Sequence, residues 1–346
     1  MSKLAPLDMA FLLMENSSRQ LHMTAYQMFK VPARQKNAWV KKVLSTFRSS
    51  EVAPPFNQKI KWLGKDVASW ETVEPDLNYH VRHIAVPAPG TMQQFYDMVS
   101  FLNTPLLDRN LPLWDCYSID GIEGNHVARM LRVHHALIDG GGALKLFRAA
   151  MNDNAGDKSI RAVWTPQKKK ARKRAPRKNQ PHLKQIMSTL GKVPAGILGT
   201  GTEFAKMGAQ SLKLRDVEAS LPFGASHTLF NNVARSAARR YANCEIPLAD
   251  IKTISKRTGT TVNDVVTTLI DDALHHYLKD HNASIDQPLV SLMAMSLRTE
   301  DHGATGNQVS AELVPMGEPN ASIAKRLEQV HESISRVKKK TSRLPN

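Results

Sequence analysis

The sequence predicts a two-domain α/β protein, and three observations carry that prediction. The chain has 346 residues, beyond the roughly 250–300 at which a single hydrophobic core stops growing. Strand-length apolar runs alternate with helical periodicities towards both ends of the chain. Between them the composition turns basic, so the chain divides into an N-terminal domain over 1–160, a basic linker with a crossover helix over 161–225, and a C-terminal domain over 226–346.

The elements follow in order. Residues 37–49 form an amphipathic segment, 79–86 a strand-like run and 92–103 a helical stretch. The pattern Val-Ala-Arg-Met-Leu-Arg-Val over 127–133 fits a strand, residues 139–142 a turn, and 143–151 a helix, so His134 and His135 sit where a strand ends. From Lys168 to Lys178 eight positive charges fall in eleven residues with a proline and no apolar face, the composition of a linker. Residues 182–221 suit either a surface-lying helix or a crossover helix packed on the domains, and the second is preferred. A short strand through Ile246 and a helix over 248–257 open the C-terminal domain. A helix over 263–279 follows, with Val265, Val266, Leu269, Ile270, Ala273 and Leu274 as its apolar stripe. Runs 289–297 and 309–314 have strand length, and 323–339 is a closing helix.

Hydrophobic residues at 42% and charged residues at 23% are ordinary for a globular chain, but the formal net charge is +16. Such a charge calls for an anionic partner: nucleic acid, an acidic membrane surface, or a phosphate-rich molecule such as coenzyme A. The positive residues gather in one linker without interleaved aromatics, which argues against nucleic acid. Cys116 and Cys244 form no metal or disulfide pattern, so a reducing, cytoplasmic setting is expected. The N-terminus reads as no secretion signal, and no run of about 18 apolar residues occurs, so membrane contact is expected to be peripheral.

An ester-forming transfer needs a base beside the incoming hydroxyl, because a free alcohol at neutral pH is a poor nucleophile. Histidine, titrating near neutrality, suits that task. A histidine at a strand end, four positions before Asp139 and a glycine cluster, has a rigid mount. The pair also fits ordinary strand-end residues, or part of a metal site. Adjacent strand residues point to opposite faces, which argues against a shared ion, and no metal is expected. Gly140-Gly141-Gly142 lacks the spacing of a phosphate-binding loop and reads as a tight turn.

The run from His134 to Gly140 resembles the HHxxxDG motif of the bacterial wax ester synthase/acyl-CoA:diacylglycerol acyltransferase family. That family is itself similar to the HxxxD acyltransferases, which include chloramphenicol acetyltransferase and peptide-synthetase condensation domains. Further segments agree in order. Leu4-Ala5-Pro6-Leu7-Asp8 with Phe11, Tyr79-His80-Val81-Arg82-His83, and Leu107-Asp108-Arg109 before Pro112-Leu113-Trp114 look like its N-terminal domain. Thr261-Val262-Asn263-Asp264-Val265, Ser296-Leu297-Arg298 and Gly306-Asn307 look like its C-terminal one.

The resemblance implies a chloramphenicol-acetyltransferase-like fold of two α/β domains with mixed sheets and a channel between the halves. It implies long-chain acyl transfer from acyl-CoA to a fatty alcohol or a diacylglycerol, on the route to wax esters or triacylglycerol. Acyl-CoA is a substrate, and no cofactor is implied. His135 would be the general base, without a covalent acyl-enzyme, and His134 a supporting residue. Asp139 would hold the loop through a salt bridge with Arg298. Asn263 would donate to an oxyanion or cap its helix, and Gly140 and Asp264 would support the motifs. Peripheral contact with a membrane or lipid-inclusion surface goes with such substrates.

Relatives of this kind continue past the equivalent of Asn346, so the C-terminal domain is expected to be incomplete, with an unpaired sheet edge and an uncovered apolar face. The competing expectation is an inactive homologue that binds lipid surfaces or an intact relative.

Overall fold

The structure, a computed structural model, describes residues 2–64, 67–154, 156–166, 227–231, 236–296 and 309–342. The described residues form two compact units, 2–166 with 236–242, and 227–231 with 243–295 and 310–342.

The first unit runs β1 (Ser2–Lys3), α1 (Pro6–Met14), β2 (His22–Lys30), α2 (Lys36–Arg48), β3 (Gln58–Gly64), β4 (Val67–Thr72), α3 (Leu77–His80), β5 (Val81–Ala85), α4 (Met92–Leu102), β6 (Trp114–Ile122), β7 (His126–His134) and α5 (Gly140–Ala149). Its main sheet has the order β2-β7-β6-β5, antiparallel except for the parallel β5–β6 pair. Strands β6 and β7 are buried along most of their length because both faces are covered. On one face Phe95, Val99 and Leu102 of α4 pack on Tyr117, Ile119, Ala128 and Met130. On the other, Phe47 of α2 and Leu146 of α5 join Trp114, Cys116, Leu131 and Val133. A smaller sheet, β1-β4-β3, closes that second core with Ile60, Ala68 and Trp70.

Local chemistry sets the helix starts. Pro6 opens α1, where its missing N–H costs nothing. Thr91 and Gln94 form a reciprocal capping box on α4. The expected strand over 79–86 begins only at Val81, because the Asp76 carboxylate accepts from the Asn78 N–H and turns 77–80 into one helical turn. The expected linker also begins later than position 161. Trp164 is fully buried against Phe47 and Trp114, and its indole N–H donates to Ser50 Oγ at 2.8 Å. The basic run 168–178 and the helix expected over 182–221 lie outside the described residues.

Residues 236–242 return to the first unit. Arg239 donates to the Ser18 carbonyl at 2.8 Å, and the Tyr241 N–H to Ser100 Oγ at 2.7 Å. The strand expected through Ile246 is not formed: residues 242–246 have no regular secondary structure and are exposed, so no apolar face is buried there to hold a strand.

The second unit contains α6 (Leu248–Thr258), α7 (Val262–Asp280), β8 (Val290–Ser296), β9 (Val309–Pro315) and α8 (Ile323–Ser342), with β8 hydrogen-bonded to β9. Gly259 ends α6 in the left-handed conformation, φ 67°, that glycine adopts without strain. The expected stripe of α7 is corrected. Of its six residues only Val265 is fully buried, while Val266, Leu269, Ile270 and Ala273 are exposed. The buried face is instead Asp264, Val265, Thr268, Asp271 and Leu278. Polar pairing with α8 turns the helix this way. Asp264 Oδ2 meets His331 Nδ1 at 2.7 Å, and Asp271 Oδ2 accepts from Arg326 at 2.6 Å and from the Gly317 N–H at 3.1 Å. Buried carboxylates demand such partners, and the exposed apolar side chains make no comparable demand.

Candidate active site

Strand β7 ends on His134, which pairs in register with His22 at the start of β2. The next residues leave the sheet in a buried loop, Ala136-Leu137-Ile138, that enters α5. Two main-chain bonds fix the histidines: the His134 N–H donates to the Leu113 carbonyl at 3.0 Å, and the His135 N–H to the Leu21 carbonyl at 2.9 Å. Leu113 belongs to the Pro112-Leu113-Trp114 segment. Trp114 anchors that segment by donating its indole N–H to the Phe56 carbonyl at 2.7 Å and stacking on His80. This segment therefore supports the site from behind.

Below the strand end a buried Asp115–Arg132 pair, in which Arg132 Nε and Nη2 donate to the two carboxylate oxygens at 2.8 and 2.5 Å, locks β6 to β7 two residues before His134. Tyr117 donates to the same carboxylate at 3.1 Å. Such a fork holds orientation as well as charge.

The two histidine rings have different surroundings. His134 is fully buried, and its Nδ1 accepts from the Ala136 N–H at 3.0 Å. That puts a ring proton on Nε2, which stands 3.2 Å from Glu15 Oε1 but off the line of a hydrogen bond. His135 is half-buried and lies against the Phe11 ring, centroids 4.9 Å apart and planes 21° from parallel. Burial, together with the nearby His134 ring, pushes the His135 pKa below its usual 6.5, against a smaller upward pull from Asp139. The shift favours the uncharged imidazole, the state that can accept a proton.

Glu15 is a residue of this site that the sequence reading missed. Its side chain is 1% exposed and links three groups: His134, the Leu21 N–H at 3.1 Å, and Arg109 at 3.2 Å. Burial pushes this carboxyl up, but the His134 ring, the Leu21 N–H and Arg109 outweigh it and hold the pKa at about 2 instead of 4.5. Leu21 connects Glu15 to His135, since its N–H goes to the carboxylate and its carbonyl receives the His135 N–H. A signal was present. Glu15 is the C-cap of α1, where a negative charge opposes the helix dipole, and such a local conflict marks a residue placed for another purpose.

Asp139 is fully buried and caps α5, its Oδ1 accepting from the Gly142 N–H at 2.7 Å. The three glycines are therefore the first turn of the helix, Gly140 at its head, and not the tight turn that was expected. Arg298, the expected partner of Asp139, lies outside the described residues. Replacing Asp139 with alanine should lower stability by about 0.5–2 kcal/mol in urea unfolding, and asparagine should recover most of it, because both residues cap well. Full loss in the asparagine variant would show that the charge, not the cap, is what matters.

Asn263 and Asp264 stand in the second unit. The capping role considered for Asn263 belongs to Thr261, which forms a capping box with Asp264, and Asn263 is exposed at the second helical position. Asp264 accepts from the Thr261 N–H at 2.8 Å and pairs with His331. Burial would raise its pKa, but these bonds outweigh that and depress it. Cys116, in β6, is buried and its thiol is pushed up to about 12, whereas Cys244 is exposed, and both are free. No helix among the described residues is long and apolar enough to cross a membrane.

Comparison with known proteins shows the family and the fold. The wax ester synthase/diacylglycerol acyltransferase catalytic domain matches residues 4–266. The chain is 50% identical over 347 aligned positions to a Mycobacterium tuberculosis protein named "Probable diacylglycerol O-acyltransferase Tgs4", covering 98% of this chain and 73% of that one. It is 31% identical to "Probable diacylglycerol O-acyltransferase tgs2" of the same species, covering 75% of that protein. The fold matches the wax ester synthase/diacylglycerol acyltransferase of Marinobacter aquaeolei VT8 with a TM-score of 0.73 at 24% identity, over 98% of this chain and 73% of that one. It matches the first condensation domain of the calcium-dependent antibiotic synthetase with a TM-score of 0.54 at 12% identity, over 98% of this chain and 75% of that one. A histidine pair at the end of a central strand, on a mixed-sheet fold of this type and with this degree of identity, places the chain in the wax ester synthase/diacylglycerol acyltransferase family of acyltransferases.

Proposed function

We propose that this protein moves a long-chain acyl group from acyl-CoA to the hydroxyl of a fatty alcohol or a diacylglycerol, with His135 as general base. The observation that carries the reading is the setting of His135: half-buried at the end of β7, stacked on Phe11, its N–H held by the Leu21 carbonyl, with burial favouring its uncharged form. A ring nitrogen takes the hydroxyl proton as the oxygen attacks the thioester carbonyl. The tetrahedral intermediate then collapses, the C–S bond breaks, and the same proton passes to the departing thiolate. The acyl group goes directly between substrates, so no acyl-enzyme forms and no cofactor is required. Asn263 is the candidate donor to the oxyanion, and peripheral contact with a lipid surface brings the protein to its apolar substrates.

The test is CoA release from palmitoyl-CoA with hexadecanol or dipalmitoylglycerol. Release should depend on the acceptor, and kcat/KM should fall as His135 is protonated, along an acid limb with its midpoint below 6.5. Above that limb the rate should be flat through neutrality. Release that ignores the acceptor would overturn the transferase reading, and a limb above 6.5 would remove His135 as the base.

A further inference from the structure

Residues 236–242 lie on the first unit before the chain enters the second, and they form neither helix nor strand. Tyr241 packs its ring on Tyr26 and Tyr96, but the rest of the segment is held by polar bonds centred on Arg239. Arg239 Nη2 donates to the Ser18 carbonyl at 2.8 Å and to Gln20 Oε1, and Nη1 donates to the Ala238 carbonyl at 2.9 Å. Among the described residues these acceptors are all neutral oxygens, so the fork fixes a geometry and does not neutralise a charge. Gln20 extends the clamp. Its Nε2 donates to the Thr104 carbonyl just past α4 at 2.8 Å, and to the Ser17 and Ala237 carbonyls at 3.0 and 3.1 Å. One side chain thus ties together the α1–β2 loop, the end of α4 and a segment 219 positions away.

We infer that Arg239 is a positioning residue for the acyl transfer, holding through Gln20 the Leu21 carbonyl on which the His135 backbone rests. Gln20 adjoins Leu21, whose N–H goes to Glu15 and whose carbonyl receives the His135 N–H. On the other side of Leu21, His22 Nε2 meets Asn103 Oδ1 at 3.1 Å, again at the end of α4. Leu21 is therefore pinned through both neighbours, and the Gln20 side is pinned by Arg239. The α1–β2 loop is a short turn closed by the Asn16–Arg19 bridge, and without the clamp it is free to pivot about that turn. A base must stand about 2.6–3.2 Å from the hydroxyl it deprotonates, and a displacement of about 1 Å can cost about 10²-fold in rate. The inference rests on the reading of His135 as that base.

The experiment compares wild type, R239A, R239K, H135A and H135A/R239A of the full chain in CoA release from palmitoyl-CoA with hexadecanol, each beside its thermal unfolding curve. R239A should lower kcat about tenfold or more, with KM for both substrates within about twofold of wild type. R239K keeps the charge and a donor but not the fork, and should recover part of the loss. In the H135A background, removing Arg239 should change the residual rate by less than about twofold, because the group through which it acts is gone. If R239A melts below the assay temperature, Gln20→Leu breaks the clamp from its other side and should give the same pattern. An equal fold-loss in both backgrounds, or wild-type kcat in R239A, would overturn the positioning role. So would a rise in KM with kcat unchanged, which would put Arg239 on a substrate. A second readout needs no turnover: the ring resonance of 13C-labelled His135, identified by its absence from H135A, should shift in R239A. It should stay in place in Tyr241→Phe, which removes the hydroxyl contact to Tyr26 at 3.1 Å from the same segment. A wild type that releases no CoA would overturn the enzyme reading, while a His135 resonance that still moved in R239A would keep the link between the two residues. A resonance unmoved by R239A would overturn that link whatever the turnover.

Discussion

Replacing His135 with alanine should lower kcat for acceptor-dependent CoA release by about 10²–10⁴-fold, the range that a positioned general base contributes. The fold should survive, because the ring is half-buried and its stacking partner is Phe11, while the backbone bond to the Leu21 carbonyl does not need the side chain. Thermal unfolding of the variant beside its kinetics separates the two effects. A loss in kcat with KM little changed is the pattern of a group that acts in the transition state. Turnover within a few-fold of wild type would show that another base does this work.

Glu15→Gln should have the largest effect on stability. The substitution keeps the shape but removes the charge that answers Arg109 and faces His134 Nε2. Breaking a buried ionic hub from one side leaves its partners uncompensated. The folded carboxyl titrates at about 2 and the unfolded one at 4.5, so the ionised form contributes about 3 kcal/mol near neutrality. For a depressed carboxyl the sign is fixed: the contribution is complete above pH 4.5, shrinks as pH falls, and is gone below about 2. Urea unfolding of wild type and variant across this window should show a stability difference that closes towards acid. A difference that stayed constant from pH 7 to 2 would mean that packing, not charge, gives Glu15 its importance. Turnover should fall as well, because Glu15 holds Leu21 and Leu21 holds His135.

Much of the first unit can be read along the chain. The apolar run before His134 is strand β7, the segment near position 92 is helix α4, and both have signals within a few residues: buried alternation in one, a Thr91–Gln94 capping box in the other. The start of α5 at Gly140 was harder to see, since three glycines read as a turn until the Asp139 carboxylate is found on the Gly142 N–H. Trp164 looked like the edge of a linker because charged and polar residues follow it, yet its ring fills the gap between Phe47 and Trp114. Composition reports what a window contains and says nothing of where one large side chain goes.

By itself, the sequence determined the types of most elements and the ordered motifs that carry the family, and it singled out His135 as the candidate base. These rest on backbone propensity, capping and the chemistry of single side chains, which act over a few neighbouring positions. Tertiary structure alone decided that Glu15 stands behind His134, that Thr261 and not Asn263 caps α7, and that α7 turns its aspartates inward. The last depends on partners remote in the chain, His331 being 67 positions from Asp264 and Arg326 55 from Asp271. A buried carboxylate must be met by a donor wherever that donor lies in the chain, and only the folded arrangement brings the two together.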